Sequence, residues 1–188
     1  MNVKTLAAFV RSQGCPVRLY NKKILLGQNC AGLFDLNKRG RPYISVAMLG
    51  DKNNPLHVLL HEYCHFLQWK DGYMMKLEEP GTKDGWTILD DWIKGKEFSR
   101  EQLRMARGAI LLMEYDAELR TLQKARELGI KMNKRSHLKD SNGYIESIKK
   151  AFETRKYAGY VESKCDRVMT IKEVLDADTK PKRRGKKR

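Results

Sequence analysis

A chain of 188 residues has the length of one ordinary domain, and its composition, 41% hydrophobic and 32% charged, excludes a wholly disordered protein. The longest uninterrupted aliphatic stretch, residues 109–113, falls far short of the roughly 20 apolar residues that cross a bilayer. Of the net charge of +15, seven units sit in the last nine residues (Lys180, Lys182, Arg183, Arg184, Lys186, Lys187 and Arg188), which leaves +8 for the rest.

Such a terminal run reads as a solvated, disordered basic tail over residues 179–188, and nucleic acid or another polyanion is the partner class its charge suits. Residues 1–10 lack the apolar core and cleavage site of a secretory signal. The four cysteines, Cys15, Cys30, Cys64 and Cys165, form no C-x-x-C pair. Reduced thiols, a cytoplasmic location and no membrane partner are the expectation.

In chain order, Val3, Leu6, Ala7 and Val10 recur at helical spacing before Gly14. Residues 17–26 carry two apolar runs around Asn21, residues 31–36 a third and residues 41–48 a fourth after a turn-rich segment, which predicts a small antiparallel meander. Pro42, which cannot donate to a ladder, suits an edge strand. Asn53, Asn54 and Pro55 open a second helix that runs to Trp69 and stops at Asp71-Gly72. Residues 72–97 read as a long connection with a short helix at 86–93.

Ser99 and Gln102 form a capping box for a long helix ending near Gly129. Further helices are expected over 143–152 and, capped by Thr170 with Glu173, over 171–175. The expected organisation is a single α+β domain over 1–178, with its core at 31–130 and a helical extension over 131–178.

His61-Glu62-Tyr63-Cys64-His65 is an H-E-x-x-H pattern inside a predicted helix. Histidines at i and i+4 project from one face, so both imidazoles reach a single zinc ion, the expected cofactor. Zinc lowers the pKa of a bound water, and Glu62 can take its proton and pass it to a leaving amine, which makes Glu62 the expected catalytic residue. Leu59, Leu60, Tyr63, Phe66 and Leu67 form the apolar back that buries this helix. Cys64 lies on a neighbouring face and reads as core, and His57 as a helix-start residue.

A catalytic zinc needs a third protein ligand and an open position. Glu114, in Glu114-Tyr115-Asp116-Ala117-Glu118, ranks first because the apolar residues 110–113 before it imply burial, and buried acids need partners. One of Glu114 and Glu118 can then ligate while the other accepts the N–H of a ligating histidine. Asp84 is the alternative third ligand. Asp71 is a weaker one, since Gln68 stands where the required turning glycine is wanted.

These residues resemble the zincin metallopeptidases of the gluzincin type, in which a Glu-x-x-(Ala/Ser)-(Asp/Asn) helix supplies the third ligand; Glu118 departs from the usual Asp or Asn. The order of elements resembles the minimal intracellular zincins of bacteria and their phages, some of which cleave or regulate repressor proteins. The likeness covers residues 31–122. Gly81-Thr82-Lys83-Asp84 also resembles the G-T-x-D segment of the aspzincins, without the Tyr-Gly that follows there.

The gluzincin resemblance implies that an edge strand, here 41–48, pairs with an extended peptide. It also implies an oxyanion-stabilising side chain, for which Tyr144, Tyr157, Tyr160 and His137 are candidates that no spacing separates. The expected activity is therefore hydrolysis of peptide bonds in an intracellular protein. The alternative is a zincin-fold regulatory protein acting on nucleic acid or a DNA-bound partner through its basic C-terminal region.

Overall fold

The computed structural model describes residues 1–25, 30–49, 54–73, 84–157, 161 and 163–175. Within them the architecture is α+β, with a three-stranded sheet and six helices. The chain divides into one unit of Met1–Glu79 with Asp116–Lys134 and another of Pro80–Tyr115 with Arg135–Arg188. Tyr160, residues 74–83 and the basic tail lie outside the described residues. None of the described helices is long and apolar enough to cross a membrane.

In the first unit, Asn2 caps α1 (Val3–Ser12) by accepting from the Thr5 N–H at 3.0 Å, and the helix buries Leu6, Ala7 and Val10. The sheet that follows contains β1 (Val17–Tyr20), β2 (Gly32–Leu36) and β3 (Pro42–Ala47) in the order β1-β3-β2. β3 runs antiparallel to β2, with Phe34 opposite Ile44, but parallel to β1, with Val17 opposite Ile44.

This corrects the expectation of an all-antiparallel meander with 41–48 at its edge. Side-chain alternation reports which residues share a face and is blind to the direction of the neighbouring strand. Among the described residues β3 is central, with Ile44, Ser45, Val46 and Ala47 all buried, and β2 is an edge. Pro42 is the first residue of β3, where its missing N–H leaves the rest of the ladder intact. Ile24 and Leu25 join no strand, and Leu26 lies outside the described residues.

Helix α2 (Pro55–Lys70) starts where the Asn54 side chain accepts from the Leu56 N–H at 3.0 Å, with Pro55 in the first turn. Leu59, Leu60, Tyr63 and Phe66 pack with Leu6, Val10, Val17, Ile44 and Val46 in one core, joined by Ala125 and Ile130. Full burial of each aliphatic side chain contributes about 1.5–3 kcal/mol, so this core anchors the face of α2 opposite its histidines.

In the second unit, Asp84 caps α3 (Gly85–Ile93). Ser99 and Gln102 exchange the two bonds of a capping box, at 2.9 and 3.1 Å, and start α4 (Arg100–Glu127). This 28-residue helix is uninterrupted, and from Asp116 onward it belongs to the first unit.

Helix α5 (Lys134–Thr154) is longer than its expected 143–152. Ile88, Leu89, Ile110, Leu111, Ile145, Ile148 and Val174 of α6 (Ile171–Leu175) form the second core. Asn142 of α5 donates to the carbonyls of Cys165 and Arg167 at 2.8 and 3.0 Å, and the Tyr115 hydroxyl donates to that of Met169 at 2.5 Å. The segment leading into α6 is thereby laced to the helices.

Candidate metal centre

The helical rise places His61 and His65 one turn apart on α2, with their Nε2 atoms 3.0 Å from each other. Their rings stand nearly perpendicular, at 87°. On α4, Glu114 and Glu118 are likewise one turn apart, and Glu114 is only 3% exposed. His61, His65 and Glu114 each offer one ligand atom, and these atoms all lie within 4.8 Å of one another. Glu118 Oε1 stands 3.2 Å from His61 Nδ1, the ring nitrogen turned away from the group. Ala117, fully buried between the two acids, contributes no bulk beyond a methyl group.

The donor set fits zinc. Two imidazole nitrogens and a carboxylate oxygen are its common ligands, and two nitrogens each about 2.0–2.1 Å from a tetrahedral ion lie about 3.3 Å apart, close to the spacing seen. A carboxylate behind the outer nitrogen of one histidine is the usual support of such a site.

No family model matches the chain, and neither a curated protein nor a solved structure matches it. The chemistry of the site therefore rests on its own geometry.

Glu62 is 7% exposed and lies against the edge strand: a Cβ at Gly32 of β2 would fall 2.5 Å from Glu62 Oε1 and 2.4 Å from Val58 Cγ1. The half-buried Cys30 precedes this strand, and burial, with the charge of Glu62 second, pushes its thiol up to about 11. Cys64 is fully buried in the first turn after Glu62, and burial likewise pushes its thiol up to about 11, against a hydrogen bond from Thr121.

A residue that the motif does not single out adjoins this group. Gln68, fully buried and one turn beyond His65, has its Oε1 2.7 Å from His65 Nδ1, and its Nε2 donates to Asp116 Oδ2 at 2.7 Å. The same Asp116 oxygen accepts from Arg120 Nε at 2.6 Å, and Arg120 Nη1 donates to Asp71 Oδ2 at 2.6 Å. The available signal was a polar residue within the apolar run Phe66-Leu67-Gln68-Trp69, three places after a motif histidine.

The other candidates stand elsewhere. Asp84 accepts from the N–H and hydroxyl of Thr87 at 2.9 and 2.6 Å, as the cap of α3, and is not in the three-residue group. Asp71 caps the end of α2 and pairs with Arg120. Tyr157 donates its hydroxyl to Asp90, Tyr144 is an exposed residue of α5, and His137 Nε2 lies 3.5 Å from Ser141 Oγ. His57 is in the first turn of α2.

Proposed function

We propose that the protein is a zinc-dependent peptidase that hydrolyses an extended segment of an intracellular protein, with a zincin-like core of the gluzincin type. The observation that carries this reading is the convergence of two imidazole nitrogens, 3.0 Å apart, with a buried carboxylate from a second helix, in a motif whose sequence puts Glu62 between the two histidines.

Zinc held by His61, His65 and Glu114 with one position open would supply Lewis acidity toward a peptide carbonyl and an attacking water. Glu62 holds the transferable proton, accepting it from the water and returning it to the departing amine. Glu118 orients the His61 ring through Nδ1. β2, in place of the segment 41–48, offers the strand edge: only one of its sides is paired with a strand among the described residues, and the other presents N–H and C=O groups to an extended peptide.

The test is cleavage of an unfolded protein by the full chain and by Glu62→Gln, with bound zinc measured in both. About one zinc per chain in each, with cleavage slower by about 10²–10⁴-fold in the variant, is the expected result. A metal-free parent, or equal cleavage by both, would contradict the proposal.

The seven basic residues of the tail favour a contact with nucleic acid beside this activity. Salt-sensitive retention on DNA that disappears when residues 180–188 are removed is the expected behaviour, and unchanged retention would count against it.

A further inference from the structure

We propose that Gln68, clamped by Asp116, is the positioning residue that sets the proton of His65 on Nδ1 and so turns the Nε2 lone pair toward the metal position. The inference rests on the metal-site reading above.

A primary amide has one accepting end and one donating end, and its two neighbours decide which way it faces. The carboxylate of Asp116 only accepts, so the NH₂ of Gln68 must point to it, at 2.7 Å. The carbonyl oxygen is then directed at His65 Nδ1, also at 2.7 Å, and because this oxygen only accepts, Nδ1 must donate. In the neutral ring a proton on Nδ1 leaves Nε2 as the bare nitrogen, and Nε2 is the atom that faces His61 Nε2 at 3.0 Å.

The reverse amide orientation would set two acceptors against each other at Asp116 and would place the His65 proton where a cation has to bind. Asp116 is itself held by Arg120, which is held in turn by Asp71, so the direction of the amide is fixed by charges outside the centre. Full burial of Gln68 denies water the chance to substitute for either bond.

The test uses the full chain stripped of metal at about pH 8, where an ordinary imidazole is neutral, with the His65 tautomer read from the ¹⁵N resonances of its ring. Zinc affinity is then measured in the same samples by competition with a chelator. The parent is expected to hold His65 with its proton on Nδ1. Gln68→Met, which keeps the volume and removes both amide ends, and Asp116→Asn, which lets the amide face either way, are expected to move that proton toward Nε2. Each is also expected to weaken zinc binding by about 10–100-fold.

Amide spectra of the variants that overlay the parent's outside the site separate this effect from loss of folding. A parent with the proton on Nε2, or variants that change neither the tautomer nor the affinity, would overturn the proposal. A parent with the proton on Nδ1 that binds no zinc would refute the metal reading, and with it the role of Nε2 toward a metal, and would uphold the tautomer assignment alone.

Discussion

Gly32 and Glu62 meet with no room for a side chain between them: a Cβ at position 32 would lie 2.5 Å from Glu62 Oε1 and 2.9 Å from its Cγ. The absence of a side chain there lets the edge strand run directly beside the proposed proton carrier. Gly32→Ala is therefore expected to displace the Glu62 carboxylate, the strand or both. Since a misplacement of about 1 Å costs on the order of 10²-fold in rate, peptidase activity should fall about that far while bound zinc stays near the parent value. Metal content and cleavage rate measured on one preparation separate the two effects.

The two acids of α4 should differ in what they do for the metal. Glu114 lies within the three-residue group, so Glu114→Gln removes a charged donor and should abolish tight zinc binding. Glu118 stands 3.2 Å from His61 Nδ1, so under the proposed reading Glu118→Gln should cost about 10–100-fold in affinity and leave binding measurable. Chelator competition ranks them, and equal losses would put both acids in one role.

Gly143 lies in the middle of α5, where a Cβ would fall 2.1 Å from the carbonyl oxygen of Val161. Alanine is the better helix former, yet Gly143→Ala should destabilise the second unit by about 1–3 kcal/mol, because overpacking outweighs propensity at a contact with backbone. Urea unfolding of the parent and the variant checks this, and a stabilised variant would refute it.

The acid response of the second unit has a defined sign. The Arg167 guanidinium and the Thr170 N–H and hydroxyl hold the Glu173 carboxyl down to about 2, below its ordinary 4.5. A carboxyl depressed in the folded state contributes stability that is fully present above the unfolded value and is lost as pH falls toward the folded one. Metal-free parent should therefore melt above Glu173→Gln at pH 7, and the gap should close between about pH 4.5 and pH 2. Melting curves at stepped pH test the trend.

What could be read in advance divides along physical lines. Local signals sufficed for α2, which Asn54-Pro55 opens, for α4, which Ser99 and Gln102 open, and for α6, which Thr170 and Glu173 cap. The pairing of His61 with His65 is equally local, since helical pitch alone brings i and i+4 together. Relations between distant segments were not legible.

Alternation in β1 and β3 could not report that they run parallel, and Pro42 pointed to an edge although it only begins a central strand. Gly143 read as a helix start because the close approach of Val161, which calls for a glycine, is a tertiary fact. Glu114 had rivals because the histidines it joins lie on α2, some 50 residues away, while Gln68 read as a missing glycine, and its place as a polar residue in an apolar run gained meaning only with Asp116 opposite its amide.

The most direct test of the central claim is X-ray absorption at the zinc edge on the full chain purified with zinc. The account predicts about one zinc per chain with two imidazole nitrogens and oxygen donors at about 2.0–2.2 Å, and loss of the imidazole signature in His61→Ala and His65→Ala. A shell of sulfur at about 2.3 Å, or zinc that survives both substitutions unchanged, would contradict it.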